Sequence, residues 1–293
     1  MRNPIFLLIG LILISTVGAA PPENLRDQNL VAWCIVPFDS QDRSPAERAE
    51  MVRRLGLRRV AYDWREKHVP TFEEEIRQYR KHGIEYFAFW GMHEHAFDLF
   101  KKYDLHPQIW MMLAQPTGAT QAEKVRQAAE QLLPMVEQAK TAGCKFGIYN
   151  HGGWSGEPEN MVAICEFLRK HHEADHVGIV YNLHHGHQHV PQFREVLQQM
   201  KPYLLCLNLN GMTKDGEKRG QKILPLGEGE LDVSLMKMIA ESGYDGPIGI
   251  IGHTQDDVEQ RLQDNLDGLH WILPQLEGEP AGPKPTLRTH ERN

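Results

Sequence analysis

Eight short apolar runs, each rich in β-branched and aromatic residues, recur along the chain and alternate with segments of helical periodicity. Each run is nearly continuous in apolar character, which is typical of strands that are buried on both faces of a parallel sheet. No glycine-rich GxGxxG turn follows any run, so an open dinucleotide-binding sheet is disfavoured. The alternation predicts an α/β chain folded as one (β/α)8 TIM barrel. The predicted strands are 30–36, 59–62, 86–90, 108–113, 145–149, 177–181, 203–209 and 247–251.

Two of the predicted helices carry clear start signals. Ser44 precedes Pro45 and is followed three residues later by Glu47, which is the pattern of a capped helix start. Thr71 precedes three acidic residues, and Gly83 follows the basic residues of the last turn. Helical periodicity predicts six more helices, at 94–102, 120–142, 159–172, 191–200, 233–242 and 255–275.

The two ends of the chain differ from the barrel pattern. Residues 1–20 have a charged start, an apolar run over 4–17 and small residues before Pro21, which is the layout of a secretory signal peptide. The run is shorter than the about 20 residues that span a bilayer. We expect an exported protein, secreted or periplasmic, without stable membrane insertion after cleavage; an uncleaved anchor is the alternative. The barrel is expected over 28–275, with a disordered tail over 276–293.

Charge and cysteine content narrow the class of partner. The formal net charge of −7 disfavours nucleic acid, because nucleic-acid affinity comes largely from clustered Lys and Arg. The four cysteines form no CxxC pair, and buried free thiols are expected. A small molecule is the expected partner, and the sequence gives no indication of oligomeric state.

Polar and aromatic side chains follow the predicted strands at the point where each strand ends. In a (β/α)8 barrel the carboxyl ends of all eight strands open onto one mouth, where the chemistry takes place. Asn, Gly and Asp are also common in loops, so one or two of these residues need no functional explanation. The number of strand ends involved predicts a binding site. These residues are Trp33, Asp63, Arg65, Trp90, Asn150, His151, Asn182, His184, His185, Asn208, Asn210 and His253.

Several of the same segments resemble the xylose isomerase-like TIM-barrel superfamily, which includes sugar isomerases and epimerases, keto-sugar lyases and endonuclease IV. The resemblance covers about 28–275 and is carried by "GIYNHGGW", "VGIVYNLHH", "LNLNGM", "LPLGEGELD" and "GYDGPIGIIGHT". It implies a small carbohydrate or polyol as the substrate. It also implies a divalent metal, held by Glu, Asp, His and Glu from strands five to eight, that polarises a sugar carbonyl while a side chain moves the proton.

The metal-ligand positions of the resemblance are all changed in this chain. The strand-five Glu is Tyr149, the strand-six Asp is Asn182, and the strand-seven motif begins with Asn208. The strand-eight window 250–252 contains no carboxylate. Neutral amides and a phenol cannot supply the anionic oxygens that a hard divalent cation needs. We therefore expect no metal of the family type and no other cofactor.

Three hypotheses for the site stay open. The first is a rebuilt zinc or copper site on His151, His185 and His253. The second is metal-free proton transfer with His151 or His185 as acid or base, since histidine titrates near neutral pH. Glu228 in "GEGELD" could be an acid, a base or a loop cap. The third is a carbohydrate-binding protein that has lost catalysis.

Substrate contacts are expected from ten residues. Amides would bond sugar hydroxyls, and tryptophans would provide an apolar wall, although Asp63 and Arg65 could instead pair with each other. His187 and His189 are expected in a solvated loop. The ten are Trp33, Asp63, Arg65, Trp90, Asn150, Asn182, His184, Asn208, Asn210 and His253.

Overall fold

Eight parallel strands close into a barrel in the computed structural model, which describes residues 22–289. Every strand pairs with the next in the chain, and β1 pairs with β8. This confirms the TIM-barrel prediction. The predicted signal peptide lies outside the described residues. The strands are β1 Leu30–Trp33, β2 Arg59–Tyr62, β3 Glu85–Trp90, β4 Gln108–Met111, β5 Phe146–Tyr149, β6 Val177–Asn182, β7 Leu204–Leu209 and β8 Ile248–Ile251.

Helices follow the strands at the predicted places, with one additional short helix after β5. They are α1 Pro45–Arg54, α2 Phe72–His82, α3 Glu94–Tyr103, α4 Gln121–Thr141, α5 Gly153–Gly156, α6 Pro158–His172, α7 Phe193–Met200, α8 Asp232–Glu241 and α9 Val258–Leu276. Within residues 22–289, no helix combines the length and the apolar character that a bilayer crossing requires.

The helix-start signals have different outcomes. Ser44 accepts a hydrogen bond from the Glu47 N–H, and the Glu47 carboxylate accepts one from the Ser44 N–H at 2.9 Å, so the capping box at α1 is confirmed. Thr71 does not cap α2. Its hydroxyl donates to the carbonyl of His68 at 2.8 Å, because a 3-10 turn over Glu66–Thr71 leads into the helix. Gly83 ends α2 with a φ of 62°, as the sequence predicts.

Alternate strand residues fill two separate cores. In β1, Leu30 and Ala32 pack outward against the helices, whereas Val31 and Trp33 pack inside the barrel. The barrel interior is topped by large aromatic rings; those of Trp33 and Trp110 meet edge to face with centroids 4.9 Å apart. These rings form the floor beneath the mouth. The four cysteines are buried and unpaired, as expected.

The segment after α9 differs from the predicted disordered tail. Residues 277–289 have no helix or strand, yet they lie along α9 and bond to it. The indole N–H of Trp271 donates to the carbonyl of Gly282 at 2.9 Å. The fully buried carboxylate of Asp264 accepts the backbone N–H groups of Arg288 and Thr289 at 2.8–2.9 Å. A buried carboxylate therefore anchors this segment. An anchor of this kind leaves no apolar periodicity in the sequence from which it could be predicted.

Candidate functional site

A cavity of about 220 Å³ opens at the carboxyl ends of the strands. It is smaller than the roughly 300–1,000 Å³ pockets of drug-sized ligands, which favours a compact ligand. The structure brings eight of the predicted site residues together here: Trp33, Asp63, Arg65, Trp90, His151, His184, His185 and His253. Four further lining residues were not among the predicted site residues: Cys34, Phe38, Met112 and Tyr149.

Aromatic rings form one wall of the cavity. Trp33 and Trp90 lie with ring centroids 5.7 Å apart, and Trp90 meets Tyr149 edge to face at 4.9 Å. On the other side, Phe38 lies 3.6 Å from the ring of His253, and the guanidinium of Arg65 lies over its face at 5.3 Å. Flat apolar surfaces of this kind suit the C–H face of a sugar ring.

Asp63 places a buried carboxylate at the cavity. Its side chain is at the end of β2, the residue is 2% exposed, and Oδ1 accepts a long hydrogen bond from the Val36 N–H at 3.4 Å. Within residues 22–289, the buried Oδ2 has no hydrogen-bond partner. Arg65 does not pair with it, because the Arg65 guanidinium donates to the Trp64 carbonyl at 2.7 Å. Burial raises the pKa of Asp63 to about 7, against the opposing charge of Arg65.

Cys34 next to this carboxylate has a strained backbone. Its φ is 60°, a left-handed conformation that costs free energy in a residue with a Cβ. Burial raises the pKa of the Cys34 thiol well above its ordinary value, so the side chain is a neutral thiol. The strained turn carries β1 past the cavity and brings the Val36 N–H to Asp63.

Four of the residues that line the cavity are histidines. The ring centroids of His184 and His185 are 3.8 Å apart, and those of His151 and His185 are 4.4 Å apart. Burial lowers the pKa of His185 to about 3 and that of His253 to about 4, and it lowers the pKa of His184 well below its ordinary value. These three rings are neutral at pH 7. Their lowered pKa values remove the near-neutral titration on which an acid–base role for His185 depended.

The second half of the histidine-rich segment is more buried than expected. His189 is buried, with one ring nitrogen 2.8 Å from the Tyr181 hydroxyl and the other 2.8 Å from the Glu157 carboxylate. His187 is half-buried, and its Nε2 lies 2.9 Å from the Lys222 carbonyl. The solvated-loop prediction is therefore wrong for His189, because its ring packs between Tyr181 on β6 and Glu157, the residue that precedes α6.

The predicted amide contacts do not line the cavity. Asn150 and Asn182 bond to each other, with the Asn182 N–H donating to Asn150 Oδ1 at 2.7 Å. Asn208 lies against Gly249, where an added Cβ would overlap its Oδ1. Asn210 donates to the Gly211 carbonyl at 2.8 Å. All four side chains are buried between strand ends, where the backbone ladder stops and its groups need other partners.

Glu228 also lies outside the cavity lining. Its carboxylate is 3.5 Å from the Lys284 ammonium. The loop-cap role belongs instead to the buried carboxylate of Asp232, which accepts the backbone N–H groups of Met212 at 2.6 Å and Gly227 at 2.7 Å. Burial raises the pKa of Asp232 to about 7. Both residues belong to "GEGELD", and the spacing alone does not tell which carboxylate turns inward.

The donor set at the family's metal position does not fit a hard cation. Tyr149 Oη accepts hydrogen bonds from Trp33 Nε1 at 3.3 Å and from Asn182 Nδ2, and Asn182 Oδ1 lies 2.9 Å from His184 Nδ1. These groups are uncharged and bonded to one another, whereas Mg²⁺ or Mn²⁺ requires anionic oxygens. Among residues 22–289, no group of three or more His, Cys, Asp or Glu side chains is arranged to hold a metal ion.

The sequence indicates the four additional lining residues as part of the site to different degrees. Tyr149 ends a predicted strand and replaces a family ligand, so its position signals the site. Cys34 directly follows Trp33 within a predicted strand. Met112 lies within the predicted strand 108–113 and directly follows the observed β4, whereas Phe38 comes from a loop path that no local pattern specifies.

Comparisons with known proteins agree with the fold. A protein from Mycobacterium smegmatis described as xylose isomerase-like, solved in complex with magnesium, is 15% identical, with a TM-score of 0.58 over 85% of this chain and 97% of that one. The 3-keto-D-glucoside 4-epimerase of E. coli is 13% identical, with a TM-score of 0.61 over 84% of this chain and 98% of that one. The D-psicose 3-epimerase of Clostridium cellulolyticum H10, solved with D-tagatose, is 11% identical, with a TM-score of 0.59 over 84% and 99%.

Sequence comparison gives two further results. A search of curated proteins gives no match. The family model described as xylose isomerase-like TIM barrel matches residues 36–273, which is most of the chain and nearly all of the barrel. The closed parallel barrel and this match confirm the resemblance read from the strand-end motifs. The chain therefore belongs to the xylose isomerase-like TIM barrel family.

Proposed function

We propose that this protein is a sugar isomerase- or epimerase-like enzyme that moves a proton next to the carbonyl of a small keto sugar, without a metal of the family type. Two of the solved structures that it resembles are epimerases named for a keto-glucoside and for D-psicose. The compact cavity with aromatic walls supports a sugar-sized ligand. Elimination from a keto sugar would begin with the same proton removal.

The observation that carries this proposal is the carboxylate of Asp63. Asp63 lines the cavity, and its buried Oδ2 has no hydrogen-bond partner among the described residues, so this oxygen would be the atom that accepts a proton from a bound ligand. The pKa of Asp63 is raised to about 7 by burial, which places it near the value at which a general base is most effective at neutral pH. Asp63, first predicted as a substrate contact, thus becomes the proposed base.

The other lining residues would bind and orient the ligand. Trp33 and Trp90 offer a face for the sugar ring. The neutral imidazoles of His185 and His253 can each donate to and accept from hydroxyl groups. His184, whose Nδ1 lies 2.9 Å from Asn182 Oδ1, would only accept through its other ring nitrogen. His151 is exposed at the rim of the cavity. It would deliver or remove a proton on the face of the sugar that Asp63 does not reach, as epimerisation requires.

Proton abstraction can be measured before the natural substrate is known. The protein is incubated in D₂O with D-tagatose, D-psicose or a 3-keto-D-glucoside, and loss of the proton next to the carbonyl is followed by NMR. We expect exchange with at least one sugar, reduced about 10²–10⁴-fold by Asp63→Asn. Asp232→Asn is the control, because Asp232 is also buried, with a pKa also raised to about 7, but lies outside the cavity lining.

The same measurement separates the alternatives. Sugar binding seen by calorimetry without exchange would favour a carbohydrate-binding protein that has lost catalysis. Exchange that survives in Asp63→Asn would instead move the base to His151. If the protein neither binds nor exchanges any of the three sugars, the proposal is contradicted.

We also propose that the protein is exported, secreted or periplasmic. The support is the signal-peptide pattern of residues 1–20. N-terminal sequencing of the protein recovered outside the cytoplasm should begin near residue 21, and an uncleaved N-terminus in the cytoplasmic fraction would contradict export.

A further inference from the structure

The hydroxyl of Tyr149 has both of its acceptor positions occupied. It accepts a hydrogen bond from the indole Nε1 of Trp33 at 3.3 Å and another from the amide Nδ2 of Asn182. A phenol has one hydrogen to donate and two lone pairs to accept with. Because both lone pairs are engaged, the hydroxyl hydrogen is the only bonding capacity that Tyr149 retains.

The direction of these hydrogen bonds follows from their neighbours. Burial lowers the pKa of His184 well below its ordinary value, so its ring is neutral and carries one N–H. With His184 Nδ1 2.9 Å from Asn182 Oδ1, the ring donates and the amide oxygen accepts. The amide nitrogen of Asn182 then faces Tyr149, and the indole of Trp33 can only donate. The donors therefore run in one direction, from His184 through Asn182 to Tyr149.

The end of this chain of donors is the cavity. Tyr149 is among its lining residues, with its ring centroid 6.1 Å from that of Trp33 and 5.8 Å from that of His185. Burial raises the pKa of Tyr149, so the phenol keeps its proton. Hydrogen bonds that an oxygen accepts polarise its own O–H and make it a stronger donor. The site thus presents one strong neutral donor, while Asp63 presents an unpartnered acceptor at the same cavity.

We propose that the Tyr149 hydroxyl donates the hydrogen bond that stabilises the oxygen anion formed when Asp63 removes the proton. Tyr149 would take the charge-stabilising role that a bound cation has in metal-assisted proton transfer. This inference rests on the proposed function and assigns the group on which that function depends once the metal ligands are lost.

The proposed step balances without a further reactant. The C–H bond next to the carbonyl breaks, and its proton passes to the Asp63 carboxylate. The electron pair of that bond forms a carbon–carbon double bond, and the carbonyl π pair moves onto oxygen, where the Tyr149 O–H stabilises it. Protonation of carbon by Asp63 reverses the step and, in D₂O, introduces deuterium.

The test is Tyr149→Phe, which removes the hydroxyl and keeps the ring. Using whichever of D-tagatose, D-psicose or the 3-keto-D-glucoside the unmodified protein exchanges, we expect the exchange rate at saturation to fall about 10²–10³-fold, as when one oxyanion donor is removed. KM should change less than about threefold, because the bond strengthens only as charge develops. A structural role alone would not separate the two parameters in this way.

Tyr181→Phe is the matched control. Tyr181 is a buried tyrosine on the neighbouring strand β6, and its hydroxyl is bonded to His189 away from the cavity lining. The Tyr181→Phe variant should lose about as much thermal stability as Tyr149→Phe does, and it should keep the exchange rate of the unmodified protein. An unchanged rate in Tyr149→Phe, or an equal fall in both variants, would overturn the inference while exchange by the unmodified protein upholds the proposed function. No exchange by the unmodified protein overturns both.

Discussion

Asp63 combines two properties that oppose each other. Its Oδ2, which has no hydrogen-bond partner among the described residues, suits proton transfer, whereas burial at the cavity penalises the charged form. Burial raises the pKa of Asp63 from 3.8 to about 7, and a difference of this size corresponds to a penalty on the order of 4 kcal/mol when the folded protein carries the charge. The strained Cys34 at the same cavity adds to this cost.

Replacement of Asp63 by Asn should therefore stabilise the protein at alkaline pH. Folding raises the pKa of Asp63, so the folded state binds this proton more tightly than the unfolded state does. The contribution of Asp63 to the free energy of unfolding therefore falls as pH rises from about 4 to about 7. The penalty then persists above pH 7. Asp63→Asn should be more stable than the unmodified protein by a few kcal/mol at pH 8 and similar at pH 4, as measured by urea unfolding.

The difference between the two proteins isolates Asp63 from other groups. Burial also raises the pKa of Asp232 to about 7 and lowers the pKa of His185 to about 3, but both residues are present in each protein. Equal free energies of unfolding of Asp63→Asn and the unmodified protein at pH 8 would show that the charge of Asp63 does not destabilise the fold.

At the scale of single elements, the strands were the most predictable part of the chain. Their continuous apolar runs reflect burial on both faces, and this property is local in the sequence. The site was predicted in part, because a strand end fixes where a residue lies but not whether its side chain turns into the cavity. His185, the third residue after β6, lines the cavity, whereas Asn150, the first residue after β5, bonds across to β6. Whether a side chain at a strand end turns into the cavity or bonds elsewhere depends on the neighbouring strands.

The segment after α9 shows the same dependence on distant partners. Asp264 is fully buried and accepts hydrogen bonds from the backbone and side chains of Arg288 and Thr289. A chain that ends at Glu277 should lose about 1–3 kcal/mol in urea unfolding, because the Asp264 carboxylate loses its charge-assisted bonds. A chain that ends at Thr289 is the control and should be unaffected.

A double-mutant cycle tests the attribution. In an Asp264→Asn background the same truncation should cost clearly less, because the bonds to a charged oxygen are already weakened. A truncation cost that is equal in both backgrounds would assign the effect to other contacts of the segment, such as the Trp271–Gly282 hydrogen bond.

For the whole molecule, closure of the barrel assembles the cavity from both ends of the described chain. β1 pairs with β8, which brings Phe38 to within 3.6 Å of His253. The hydrogen-bonded set of Trp33, Tyr149 and Asn182 joins strands across the barrel interior. In this molecule the strand ends are tied together by neutral hydrogen bonds, where the family resemblance implies a cation bound by carboxylates.

Thermal unfolding should therefore be insensitive to hard cations. A ligand that binds only the folded state at 100 times its Kd adds about 2.7 kcal/mol, which for a chain of this size raises the Tm by roughly 5–10 °C. We expect equal Tm values, measured by circular dichroism, in a chelator and in excess Mg²⁺ or Mn²⁺.

Zinc and copper test the histidine hypothesis separately. A rise in Tm with either ion that His151→Gln abolishes, and that replacement of the exposed His106 by Gln does not, would establish a metal site on imidazoles and contradict the metal-free mechanism.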